Sequence, residues 1–74
     1  MEVIRLPKGH AARIVGRLVL NRRGDWISAV ISVTSPMHGT NEFGEFETVE
    51  KAETHALNFA GRHHADVLYI EDNT

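Results

Sequence analysis

Residues 12–34 read ARIVGRLVLNRRGDWISAVISVT, two β-rich runs separated by a short polar segment. Apolar residues alternate along both runs, and alternation at period two is typical of a strand with one buried face. The polar segment at 21–25 includes Gly24, which can adopt the positive φ that hairpin turns need. The stretch therefore predicts a β-hairpin with strands at 12–21 and 26–34.

The alternation also assigns the hairpin side chains to two faces. We expect the more continuously apolar face to form the core, with Ile14, Gly16, Leu18, Leu20, Ile27, Ala29, Ile31 and Val33. The opposite face then carries Arg13, Val15, Arg17, Val19, Trp26, Ser28, Val30 and Ser32. One face of this hairpin is thus suited to a helix, and the other mixes apolar and charged groups.

The rest of the chain adds a loop, two strands and a helix. Pro, Gly and Asn at 35–42 predict a loop of about eight residues, and the aromatic segment at 43–47 predicts a third strand. A helix follows to about residue 64, and 66–71 predicts a closing strand. The fold class is α+β in the order β-β-β-α-β, a small, mostly antiparallel sheet with one helix on one face. We predict the sheet order 3-2-1-4, with the last strand parallel to the first.

The helix has a clear start and one apolar stripe. Thr48 is a suitable N-cap, and Glu50 places an acidic group in the first turn. Helical spacing is shown by Val49, Ala52, Ala56, Phe59 and Ala60, with Leu57 on the flank. Small alanines in this stripe allow the helix to sit close to the sheet.

Chain length and composition limit the architecture. The 74 residues suffice for one domain, so we predict a single domain over 1–74, and the absence of cysteine excludes disulfides and thiolate sites. Because cores this small often need a further stabiliser, oligomerisation is the natural one. No apolar run approaches the roughly 20 residues of a membrane span, and no signal-like segment is visible. We therefore expect a cytoplasmic protein without membrane contacts.

Charge is distributed unevenly along the chain. Residues 1–23 contain six basic residues and one acidic residue, whereas residues 24–74 contain two basic and nine acidic residues. Such asymmetry can mark an anion-binding surface, or basic and acidic patches that meet across an interface.

The histidines do not predict a metal site. A helical zinc site needs ligands at i and i+4, whereas His55 and His63 are eight residues apart, and His63 and His64 are adjacent. We therefore expect no metal among His10, His38, His55, His63 and His64, and histidines 63 and 64 fit a helix C-terminus, where the dipole stabilises imidazolium.

No nucleophile elbow, phosphate loop or dinucleotide motif occurs, so we predict no catalytic residue, no cofactor and no enzyme activity. The loop at 36–42 with His38 is the one place where polar groups could converge on a pocket.

The face without the helix is the strongest functional candidate. An exposed sheet face with scattered valines is one interpretation, but alternating apolar and charged groups with a tryptophan are typical of an interface. We predict that this surface forms a homodimer or contacts another protein through Val15, Arg17, Val19, Trp26, Val30 and Phe43. Nucleic-acid binding through the basic hairpin is the alternative, with Arg13, Arg17, Arg22 and Arg23 on phosphates. An isoelectric point near 6.2 favours the protein partner.

Residues 46–62, FETVEKAETHALNFAGR, followed by a short strand at 66, resemble a pattern in small bacterial domains of unknown function. In that pattern an aromatic-x-Thr strand end leads into a helix with spaced alanines. The resemblance covers about 25 of the 74 residues. It implies the strand-helix-strand arrangement and a bacterial or phage origin, and it implies no activity.

Overall fold

A computed structural model describes residues 1–5 and 13–74. Its elements are β1 (Glu2–Arg5), β2 (Val15–Arg23), β3 (Trp26–Thr34), β4 (Gly39–Phe46), α1 (Val49–Arg62) and β5 (Val67–Asp72). The strands form one sheet in the order β1-β5-β2-β3-β4. The predicted α+β class is confirmed, as is the order of the four predicted strands, with β5 parallel to β2 and beside it.

The sequence analysis missed strand β1. Glu2–Arg5 pairs in parallel with β5 at the edge of the sheet. These four residues are mostly exposed and too short to show an alternating pattern, so only the free edge of β5 gives them a strand conformation. Arg5 ties this strand to the helix, because its two terminal nitrogens donate to the Glu53 carboxylate at 2.7 and 2.8 Å. This hydrogen bonding, reinforced by the carboxylate charge, raises the pKa of Arg5 above its ordinary value.

The hairpin forms as predicted, with β3 at its predicted bounds and β2 displaced toward the turn. Strand β2 starts at Val15 and continues to Arg23, leaving a two-residue turn. Gly24 has φ +61° in this turn, so the strands can pair up to Trp26 and Arg23. Ala12, the predicted first residue of the strand, lies outside the described residues.

The predicted eight-residue loop is wrong in length, since β4 begins at Gly39 rather than Phe43. Thr34 pairs with Gly39, so the connection is residues 35–38. Ser35 and His38 close it through their backbones at 2.9 Å and through the Ser35 hydroxyl. Strand β3 is therefore paired with β4 from Ile27 to Thr34, and this pairing overrides the low strand propensity of Gly39 and Asn41.

Helix α1 begins and ends with defined caps. The Thr48 hydroxyl accepts from the Lys51 amide at 3.2 Å, which confirms the predicted N-cap. At the other end the His64 amide donates to Gly61 and the Ala65 amide donates to Ala60, the two bonds of a Schellman motif. His64 occupies the left-handed position of this motif with φ 60°. In the part of the chain that the structure describes, no helix is long and apolar enough to cross a membrane.

The core lies between α1 and one face of the sheet, as predicted. Buried residues are Leu18, Leu20, Ile27, Ala29, Ile31, Val33, Ala52, Ala56, Phe59, Ala60, Ala65, Leu68 and Ile70, with Ile14, Phe46 and Val49 packed partly buried against them. Helix and sheet approach closely at Gly16, where an added Cβ would lie 3.4 Å from the Cβ of Ala60. The spaced alanines of α1 permit this approach.

The end of β5 carries two carboxylates whose pKa values are lowered. The Thr74 hydroxyl and amide donate to Asp72 and hold its pKa below the ordinary 3.8. The Asn73 side chain does the same for Glu71. A carboxyl group with a lowered folded pKa stabilises the fold above its unfolded pKa, and this contribution is lost as pH falls through the folded pKa.

We therefore expect Asp72→Asn to reduce the loss of stability between about pH 6 and pH 3. The effect is small, because Asp72 is exposed to solvent. Urea unfolding midpoints measured across this range provide the test. Asp25→Asn, in the β2–β3 turn, serves as the control. If acid lowers the urea midpoint of Asp72→Asn as much as that of the unsubstituted protein, the stabilising role assigned to the Asp72 carboxylate is wrong.

Candidate functional site

The sheet face opposite α1 brings together all six residues predicted for an interface. The register places Val19, Val30 and Phe43 side by side across β2, β3 and β4. Arg17 and Val15 lie on the same face of β2, and Trp26 lies on it at the turn end of β3. We call this surface the helix-free face. Its use by a partner stays a prediction.

Exposure differs along this face. Phe43 is 76% exposed and Trp26 is 48% exposed, so two large aromatic side chains face solvent. Val15, Val19 and Val30 are half-buried between their neighbours. Val67 also belongs to this face by register, yet it is fully buried. The open part of the helix-free face is therefore formed by β2, β3 and β4.

The charges on the open part are arranged diagonally around Val30. On the β2 side, Arg17 pairs with Ser32, which follows Val30 by two residues in β3. On the β4 side, Glu45 pairs with Ser28, which precedes Val30 by two residues in β3. With strands about 4.8 Å apart and a rise of about 3.3 Å per residue, each charge lies about 8 Å from Val30. A cation and a carboxylate thus flank one apolar centre.

Arg17 also has a partner within its own chain. One of its terminal nitrogens lies 3.2 Å from Glu71 of β5, and both side chains are partly exposed. Only one of the five guanidinium N–H donors is needed for this contact. The remaining donors of Arg17 can bind a second acceptor above the sheet.

The structure does not gather the four arginines of the nucleic-acid alternative on one surface. Arg22 pairs with buried Ile27 and projects on the helix side, whereas Arg23 pairs with Trp26 and projects on the helix-free side. Arg13 precedes the other end of β2, so about ten residues, or roughly 30 Å, separate it from Arg23. By register the helix-free face also carries Glu2, Glu45 and Glu71. Basic and acidic groups are therefore mixed on it.

The structure brings three of the five histidines together. His38, His63 and His64 line a cleft of about 290 Å³ between the end of α1 and the β3–β4 loop. The other lining residues are Ile14, Val33, Ser35, Thr40 and Arg62. We call this site the histidine cleft. It includes the loop around His38 in which the sequence analysis placed the possible convergence of polar groups.

The two remaining histidines lie elsewhere. The Nε2 atom of His55 lies 3.0 Å from Glu42, and its ring contacts Phe46 at a centroid distance of 5.2 Å. His10 falls outside the described residues. Within residues 1–5 and 13–74, no three histidine, aspartate or glutamate side chains are placed to hold a common metal ion.

Sequence reasoning missed the joining of residues 62–64 to the loop at 35–38. The two segments are separated by 24 or more positions, and each looks like an exposed polar connection. Both segments line the same cleft because the β3–β4 loop has four residues instead of the predicted eight. The available signal was the sequence Arg62-His63-His64, which ends a helix without the glycine that usually follows.

Comparison with protein-family models, curated proteins and solved structures finds no match for this chain.

Proposed function

We propose that the protein is a non-enzymatic interaction module that forms a homodimer through its helix-free face. The two sheets pack face to face, and the two-fold axis lies parallel to them and passes over Val30. The observation that carries this proposal is the diagonal placement of Arg17 and Glu45 around Val30.

Self-complementary charge supports a second copy as the partner. A two-fold axis perpendicular to the Arg17–Glu45 diagonal exchanges the two positions, so Arg17 of each subunit faces Glu45 of the other. Stacked sheets lie about 10 Å apart, a distance that an arginine and a glutamate side chain can span together. An isologous interface uses the same patch twice, and a patch with one charge of each sign on opposite sides of its centre satisfies that requirement.

The apolar groups of the face support the same arrangement. Phe43 and Trp26 expose large aromatic surfaces, and aromatic residues are enriched at the buried centre of interfaces. Val30 would meet its own copy at the axis. Val19 and Phe43 would then be removed from water on either side of it, so the centre of the interface is apolar and its charges are peripheral.

The size of the open surface sets the strength of the dimer. Three strands of eight or nine residues present a patch of about 28 by 14 Å. Treated as flat, without the surface of projecting side chains, this patch covers roughly 400 Å². This area is below the roughly 800 Å² per partner of a standard interface. We therefore propose a weak, reversible dimer that forms at micromolar to submillimolar concentrations.

We expect the sedimentation-equilibrium mass to rise from the monomer value toward twice that value between about 1 and 500 µM. Phe43→Ser should weaken the dimer about tenfold or more, because the lost aromatic contact occurs once in each subunit. Met37→Ser is the matched control. Met37 is also an exposed apolar residue, at 88%, but it lies in the β3–β4 loop.

A chain that remains monomeric at the highest concentration would contradict the dimer. Equal dimerisation of Phe43→Ser and Met37→Ser would contradict the assigned surface. Oligonucleotide retention at about 50 mM salt that disappears as salt rises would favour the nucleic-acid alternative instead. The mixed charge of the helix-free face gives that alternative less support.

A further inference from the structure

We propose that the histidine cleft binds a small phosphate monoester with a short apolar group. The site lies at the end of α1, away from the apolar row Val19–Val30–Phe43 on the helix-free face. It therefore adds a ligand to the proposed function and does not depend on the dimer.

The chemistry of the cleft favours an anion. Arg62 provides a planar cation that can donate two parallel hydrogen bonds to phosphate oxygens. His38, His63 and His64 supply further N–H donors. No carboxylate is found among the described lining residues. A phosphate group therefore meets donors from two separate segments of the chain.

The polar side chains at the end of the helix are available for a ligand. Among the described residues, the side chains of Arg62 and His64 make no hydrogen bond or ion pair, and the ring of His63 packs on Phe59 at 4.6 Å. The carbonyl groups of Phe59, Ala60 and Gly61 already accept backbone N–H groups. The helix end therefore presents the unpaired guanidinium group of Arg62 and the unpaired imidazole of His64, and these three carbonyl groups do not compete for them.

The backbone of His64 is a second indication. Its φ of 60° lies in the left-handed region, where a side chain is strained and glycine is the usual residue. A residue that keeps its side chain in such a conformation beside a cleft is a candidate for function. The imidazole of His64 lines the histidine cleft from this position.

The opposite side of the cleft is held in place. Ser35 and His38 are joined by three hydrogen bonds of 2.9 to 3.3 Å, which fix the loop that carries the His38 ring. Apolar Ile14 and Val33 also line the cleft. Their presence favours an ester with a small apolar group over inorganic phosphate. The volume, at the lower end for ligand sites, admits a molecule with about ten heavy atoms.

Two further charges lie next to the cleft. Arg13 lines an adjoining depression that shares Ile14, Ser35 and His38 with the histidine cleft. Asp66 adjoins Ile14, but its carboxylate accepts the Ile14 amide at 3.0 Å. The Arg13 side chain is thus exposed, whereas the Asp66 carboxylate is hydrogen-bonded to the backbone.

Phenyl phosphate is a suitable probe, followed by amide and imidazole chemical shifts in a phosphate-free buffer. We expect shifts around the cleft and a dissociation constant on the order of 1 mM. Phenol should not bind, and inorganic phosphate should bind more weakly than the ester. Absence of shifts at these residues, or equal binding of phenol, would overturn the proposal.

His64→Gly separates ligand binding from stability. The substitution removes both the imidazole and the left-handed strain, so the melting temperature should rise by about 4 °C or more while phenyl phosphate binds about threefold more weakly. Arg62→Gln should weaken binding about fivefold. Arg22→Gln, an equal charge change at the far end of β2, should leave binding unchanged. Equal affinities in all three variants would overturn the assignment of the site.

Discussion

Gly16→Val is expected to lower the free energy of unfolding by about 2–4 kcal/mol. A Cβ at this position would lie 3.1 Å from the Val67 carbonyl oxygen and 3.2 Å from a Leu68 methyl group. Valine adds two methyl groups beyond that atom. Since the carbonyl group belongs to the backbone of β5 and Ala60 belongs to α1, space can be made only if a strand or the helix moves. Urea unfolding with circular dichroism measures the change.

Gly61→Ala provides the matched control for this substitution. Gly61 lies in α1, and an added Cβ meets no heavy atom within 4 Å. Alanine at a helical position should raise the free energy of unfolding by about 0.5–1 kcal/mol. The two glycine replacements therefore have opposite expected signs. A Gly16→Val protein as stable as the unsubstituted chain would show that α1 does not approach β2 this closely.

Arg17→Glu is expected to weaken the proposed dimer by about 100-fold or more. Under the proposed two-fold arrangement the substituted side chain faces Glu45 of the other subunit, and this like-charge contact occurs twice. Glu45→Arg should have the same effect by placing two cations together. Sedimentation equilibrium over the concentration range used for the unsubstituted protein should therefore detect little or no dimer of either variant. Circular dichroism checks that each monomer remains folded.

The double substitution Arg17→Glu with Glu45→Arg distinguishes facing charges from a general charge effect. It reverses both charges and restores opposite signs across the two-fold axis, so the dimer should return to within about tenfold of the original affinity. The loss of the Arg17–Glu71 contact prevents complete recovery. Independent effects that simply add in the double variant would contradict the facing arrangement.

The β-hairpin could be predicted because its pattern is local. Each core residue of β2 and β3 is separated from the next by one outward-facing residue, and Gly24 marks the turn between them. The helix was equally predictable from Thr48 and the spaced alanines. Strand β1 was not, because its pairing depends on the free edge of β5, about 65 residues further along the chain.

The helix-free face and the histidine cleft also differ in how far the sequence predicts them. Membership of the helix-free face follows from the period-two alternation, so its six residues could be named from the sequence. Their register across three strands could not, and the diagonal of Arg17 and Glu45 appears only when Val30 is aligned with Val19 and Phe43. The histidine cleft could not be predicted, because it is formed by two connections distant in sequence whose positions depend on where β4 begins and where α1 ends.

The position of β5 between β1 and β2 imposes an order on folding. The connections within β2–β3–β4 are two and four residues long, so this meander closes at low entropic cost. Pairing Val15 with Val67 instead closes a loop of about 50 residues, and that cost must be met before the contact stabilises anything. The meander is therefore the natural early structure. We expect α1 to join the meander first, because it packs against β2, β3 and β4, and the pairing of β5 with β2 then creates the edge to which β1 adds.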